Sequence, residues 1–175
     1  TLLEQNQPDR VILLGDVFNK GPDPDGTWDV VRQWQCESVL GNHDLVVLET
    51  ADRAQYRAPK AALSWIQTLP LTISGDGWLA VHAGVNPEGE TTPEQAVRIR
   101  RWPDDTSPEH PFWWELYQGD DLIIYGHDAA RGIQDHRPHT LGLDSGCVYG
   151  GHLSGYLLEE DRIVSVKARE QYRAI

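Results

Sequence analysis

Four short apolar runs in this chain each end at glycine or histidine and open onto a polar cluster. They are Arg10–Leu14 before Gly15-Asp16, Glu37–Leu40 before Gly41-Asn42-His43-Asp44, Trp78–Val81 before His82-Ala83-Gly84, and Leu122–Tyr125 before Gly126-His127. Runs this short, rich in branched residues, fit buried strands better than helices. Segments of helical spacing separate them: 27–35, a helix from about Asp44, 58–68 with Pro59 in its first turn, and 93–100. Residues 1–7 read as the last turns of a further helix, 71–73 as a strand joined to 78–81 by a Ser-Gly-Asp-Gly turn, and 152–158 with 162–167 as a closing hairpin. Residues 102–120, rich in Pro and Trp, take no assignment. Strands alternating with helices, followed by a β-rich end, predict a layered α/β fold of the α+β kind, read as a single domain over 1–175.

In such folds ligands bind beyond the carboxyl ends of the strands. Here those ends carry Asp16, Asn42-His43-Asp44, His82 and His127. One polar strand end is ordinary. Four that carry Asp, Asn, His and His are harder to explain as packing, and that set suits a divalent ion such as manganese, iron or zinc. No thiolate joins it, and the two cysteines, Cys36 and Cys147, are too far apart to suggest a disulfide framework. Cys147 reads as a small hydrophobe. His110, His136, His139 and His152 read as loop or surface residues, and Trp102, Trp113 and Trp114 as packing rather than base-stacking residues.

Charge narrows the partners. The formal net charge is -12 at pH 7, which argues against a nucleic-acid duplex as ligand. An anionic substrate then needs local positive charge, most simply a metal. No apolar run approaches the roughly 18 residues of a membrane span, and no secretory leader is recognisable, so the expectation is a cytoplasmic protein that is not a membrane partner.

The motifs Gly15-Asp16-Val17-Phe18-Asn19-Lys20-Gly21-Pro22, Gly41-Asn42-His43-Asp44, His82-Ala83-Gly84 and Gly126-His127, in this order, resemble the calcineurin-like metallophosphoesterases. The ending Gly142-Leu-Asp-Ser-Gly-Cys-Val-Tyr-Gly-Gly151 is similar to the bacterial-type branch of the phosphoprotein phosphatase superfamily, near the symmetrical diadenosine tetraphosphatases. The resemblance implies a β-sandwich flanked by helices around two divalent ions (Mn, Fe or Zn). It implies hydrolysis of phosphomonoesters or phosphoanhydrides by attack of metal-activated water on phosphorus. Asp16 would bridge the metals, Asn42, His82 and His127 would complete the second site, and His43 would protonate the leaving oxygen or stabilise the transition state. Lys20 stands where an arginine is common, and Asn19 where an aspartate is, so Asn19 can still hydrogen-bond His43 while Asp44 or another acid is expected to support its charge. For the second phosphate clamp, Arg98, Arg100 and Arg101 lie in the right region, with Arg101 favoured and Arg131 competing. Phosphorylated small molecules, polyphosphate and phosphoproteins are all substrate classes of this group. A degenerate domain that binds phospho-ligands without turnover is the alternative.

One motif of the resemblance is not found. The strand and Gly-Asp-x-His-Gly that supply the first metal site do not occur before Gly15, the chain contains no methionine and it begins at Thr1. The expectation is an N-terminal truncation lacking that first strand, with one well-formed metal site and impaired turnover, or a natural variant that has lost the motif.

Overall fold

The computed structural model describes residues 2–51 and 58–174. Its elements run α1 (Leu2–Asn6), β1 (Ile12–Leu13), α2 (Pro24–Gln33), β2 (Glu37–Ser38), α3 (Asn42–Glu49), α4 (Lys60–Ile66), β3 (Thr72–Gly75) and β4 (Trp78–Val81). They continue with α5 (Pro93–Arg98), α6 (Trp113–Leu116), β5 (Leu122–Tyr125), β6 (Gln134–His136), β7 (Thr140–Gly142), a 3-10 turn at Cys147–Tyr149, β8 (His152–Leu157) and β9 (Arg162–Lys167).

The central sheet has five strands in the order β3-β4-β5-β7-β6. Its inner pairs, β4–β5 and β5–β7, are parallel, while the outer pairs, β3–β4 and β6–β7, are antiparallel. A second, parallel pair joins β1 to β2, and β8–β9 forms an antiparallel ribbon. The fold is thus mixed α/β, a mixed sheet flanked by helices. Burial follows this order: Ile123 and Tyr125 of β5 and Ala80 and Val81 of β4 are covered. Val81, Ile123 and Tyr125 pack with Ala83, Ile99, Trp113 and Trp114 into one core, and Trp113 donates its indole N–H to the Ala83 carbonyl at 3.2 Å. A second core gathers Phe18, Val47, Ala62 and Ile66 beneath α3 and α4.

Several element bounds differ from the sequence expectation for local reasons. Helix α2 starts three residues earlier than apolar spacing suggested, because the Asp23 side chain caps the Gly26 N–H and Pro24 occupies the first turn. Pro59 is the cap of α4 rather than a residue of its first turn. Strands β6 and β7 carry no strand expectation from sequence: Gln134-Asp135-His136 is polar throughout, so no alternation marks it. Trp113 and Trp114 are buried packing residues, as expected, whereas Cys147 is only half-buried.

Candidate metal centre

Each central cluster emerges at the carboxyl end of its strand. Asp16 follows β1, Asn42 opens α3 just beyond β2, His82 follows β4 and His127 follows β5. The backbone is shaped to bring them together. Asp16 and His127 both take left-handed conformations, at φ 59° and 70°, which few non-glycine residues adopt. Gly41 is required by space: a Cβ there would lie 2.1 Å from Asp16 Oδ1 and 2.6 Å from the Asp16 amide.

Four acceptor atoms then converge. Asn42 Oδ1 lies 3.0 Å from both His82 Nε2 and His127 Nδ1, and these two ring nitrogens are 3.2 Å apart. Asp16 Oδ2 lies 3.4 Å from His82 Nε2. The protons are elsewhere. His82 Nδ1 donates to the Leu14 carbonyl at 2.6 Å, which leaves Nε2 with a lone pair. Burial holds the His82 ring below its ordinary pKa, opposed mainly by that hydrogen bond. Burial also pushes His127 down, to about 2, and the charges of His82 and Arg100 add to the effect. The Arg98 backbone favours the His127 proton, but no well-formed hydrogen bond reaches the buried Nε2. Oxygen and nitrogen lone pairs packed at about 3 Å without a proton between them repel one another unless a cation sits among them, so this donor set fits a divalent metal. Among the described residues, Asp16, His82 and His127 are also the one group of His, Cys, Asp and Glu side chains whose ligand atoms cluster this way, all within 4.8 Å.

His43 stands beside this set. Its backbone N–H donates to Asp16 Oδ1 at 2.8 Å, and its Nδ1 accepts a 2.5 Å hydrogen bond from the Asn19 amide. That bond assigns the ring proton to Nε2, which is then available as a donor. Burial lowers the His43 pKa, while the Asp16 charge opposes the shift.

Asp44 corrects an expectation. Its carboxylate is fully buried and does not serve His43. Oδ2 accepts the backbone N–H groups of Asp16 at 2.8 Å and Gly41 at 3.0 Å, and Oδ1 that of Val17 at 3.1 Å. The side chain therefore fixes the turn that presents Asp16. Its place at the third position of α3, reaching back to the Gly41 N–H, is half of a capping box, and that signal was readable in Gly-Asn-His-Asp.

The arginines also rearrange. Arg101, the favoured clamp, donates to the His110 carbonyl and lies with its guanidinium 4.1 Å from the Phe112 ring centroid. Arg131 pairs with Asp128 at 2.9 Å and lies 3.8 Å from the same centroid. The arginines whose charge reaches the centre are Arg98, felt by His43, and Arg100, felt by both His82 and His127. Lys20 bonds to the Tyr149 hydroxyl, and its charge also reaches Asp16 and His43.

Lone pairs gathered for a cation, a proton-bearing imidazole at their edge and guanidinium charge around them describe a metal-dependent site for chemistry at phosphorus. The chain belongs to the calcineurin-like phosphoesterase family, whose model matches residues 1–164, and it is an enzyme of metal-dependent phosphoester or phosphoanhydride hydrolysis. Among its relatives is a protein of Aromatoleum aromaticum named symmetrical bis(5'-nucleosyl)-tetraphosphatase. The two are 27% identical over 93% of this chain and 88% of the relative. An asymmetrical bis(5'-nucleosyl)-tetraphosphatase of Anoxybacillus flavithermus is also 27% identical, over 94% of this chain and 82% of its own length. A crystal structure described as a putative diadenosine tetraphosphatase superposes with a TM-score of 0.87 at 27% identity, covering 95% of this chain and 86% of the other. No helix among the described residues is long and apolar enough to cross a membrane.

Proposed function

We propose that this chain hydrolyses a phosphoanhydride bond of a dinucleoside polyphosphate. Asp16, Asn42, His82 and His127 hold a divalent ion, with manganese the first to test. The observation that carries this reading is the convergence of four acceptors at about 3 Å, and the named relatives supply the substrate class. When bound, the ion supplies Lewis acidity toward phosphoryl oxygens and a lowered pKa for water.

The chain's own residues do the rest. His43 offers its Nε2 proton to the leaving phosphate oxygen, and Asn19 keeps that proton on Nε2 by occupying Nδ1. Arg100 takes the place expected for Arg101, and with Lys20 it balances the negative charge of the polyphosphate. Asp44 keeps Asp16 in its left-handed turn.

The test has two arms. Titration calorimetry with Mn²⁺ on the chelator-treated chain is expected to show one ion per chain, with binding lost in His127→Ala. Incubation with diadenosine tetraphosphate is expected to release nucleotides, as ADP if cleavage is symmetrical or as ATP plus AMP if it is not. No Mn²⁺ binding would overturn the ligand assignment. Hydrolysis of a phosphomonoester but not of the dinucleotide would overturn the substrate class.

A further inference from the structure

Lys20 and Tyr149 are 129 positions apart and meet close enough to the metal centre for the Lys20 charge to act on Asp16 and His43. Lys20 Nζ donates to the Tyr149 hydroxyl at 2.7 Å, and the ammonium lies 5.2 Å from the centre of the same ring. The contact is built rather than incidental. Tyr149 sits on the 3-10 turn Cys147–Tyr149, flanked by Gly146 and Gly150 in left-handed conformations at φ 70° and 85°. The turn closes on itself through Tyr149 N–H to Gly146 O at 2.9 Å and Gly150 N–H to Cys147 O at 3.1 Å. From the other side, the Tyr172 and Arg173 amides both donate to the Val148 carbonyl, at 3.0 and 3.1 Å. The backbone thereby fixes where the phenol oxygen stands.

Lysine has a flexible four-carbon stem and no planar fork, so its ammonium has no direction of its own. We infer that Tyr149 is a positioning residue for phosphate binding: its hydroxyl holds Lys20 Nζ at the metal centre and leaves two of the three ammonium donors for phosphate oxygens. This rests on the reading of Lys20 as a phosphate ligand. Preorganisation of this kind raises affinity by reducing the ordering that binding requires.

The experiment is a double-mutant cycle on the full chain, read by calorimetric binding of inorganic phosphate at saturating Mn²⁺. Tyr149→Phe keeps the ring and removes the hydroxyl, and it is expected to weaken phosphate binding about three- to tenfold, the range of one hydrogen bond. Lys20→Met is expected to weaken it at least as much, and Tyr149→Phe should add nothing in that background. Mn²⁺ affinity should be unchanged in Tyr149→Phe, and no weaker in the two variants that lose the Lys20 charge near Asp16. A second readout needs neither metal nor phosphate. Acetylation of Lys20, measured by mass spectrometry against the exposed Lys60 and Lys167, should accelerate in Tyr149→Phe.

Equal phosphate affinity in Tyr149→Phe and the parent, with Lys20→Met impaired, would overturn the inference and leave the Lys20 reading standing. Additive losses would also overturn it, since Tyr149 would then act without Lys20. An unimpaired Lys20→Met would overturn the Lys20 reading and the inference with it.

Discussion

Asp44→Asn isolates the role of a buried carboxylate whose hydrogen bonds go to backbone N–H groups. The substitution preserves shape, removes the charge and turns one of the two acceptors into a donor. The remaining oxygen can keep the Asp16 and Gly41 amides, which share Oδ2, but then the Val17 N–H faces an amide NH₂. A stranded buried donor costs about 1–3 kcal/mol, and a bond to a charged acceptor is worth about 1 kcal/mol more than one to a neutral acceptor. Against these losses, a neutral amide is easier to bury than a carboxylate, and burial already pushes the Asp44 pKa up. The net expectation is about 2–3 kcal/mol of lost stability at neutral pH, and Mn²⁺ affinity weaker by about tenfold as the Asp16 turn relaxes. Urea unfolding of the chelator-treated protein reads the first quantity from the midpoint at unchanged slope, and calorimetry reads the second. A stability within about 0.5 kcal/mol of the parent, as for an ordinary surface change, would refute the reasoning.

Two further expectations follow from the site. Asn19→Ala leaves the His43 proton free to move to Nδ1, so kcat on a phosphoanhydride should fall about tenfold or more while Mn²⁺ affinity stays the same; an unchanged kcat would remove Asn19 from the mechanism. The stripped protein should lose stability below pH 6.5, because His127 stays neutral in the fold down to about pH 2 whereas the unfolded chain takes up its proton near 6.5. Between those values the unfolded state binds more protons, so stability falls with pH, by about 2 kcal/mol from this ring at pH 5. Asp16, Asp44 and Asp144, raised by burial, act in the opposite sense. Denaturation midpoints at pH 7 and pH 5 check it, with His127→Asn as the control whose slope is reduced by this ring's share, since His43 and His82, also lowered by burial, act in the same sense.

The centre was legible because Asp16, Asn42, His82 and His127 each stand where an apolar run stops, and a strand that ends at a turn fixes where its next residue goes. The arginines were not, because neighbouring residues in extended backbone point to opposite sides. Arg101 pairs with Phe112 in an antiparallel bridge, and its guanidinium lies on the Phe112 ring, while the Arg100 charge bears on the histidines. A shift of one residue exchanges these roles, and no pattern in Arg98-Ile-Arg-Arg101 sets the register. Strand β6 escaped notice for a different reason. Its partner β7 supplies the burial, through Leu141 and Thr140, so β6 itself needs no apolar face. Asp44 was expected to replace the carboxylate lost at Asn19, although its spacing from Gly41 already spoke for the backbone.

Among the described residues the two parallel strand systems share no ladder. β1–β2 stands apart from the five-stranded sheet, and at the centre the link across them is the His82 hydrogen bond to the Leu14 carbonyl. The four converging donors come equally from both sides, Asp16 and Asn42 from one, His82 and His127 from the other. A cation held there acts as a rivet between two plates as well as a reagent. A cation that uses all four donors would bind the assembled arrangement best and so would favour the docked state of the two sides. Whatever reacts there would do so on a joint that the bound ion would stiffen.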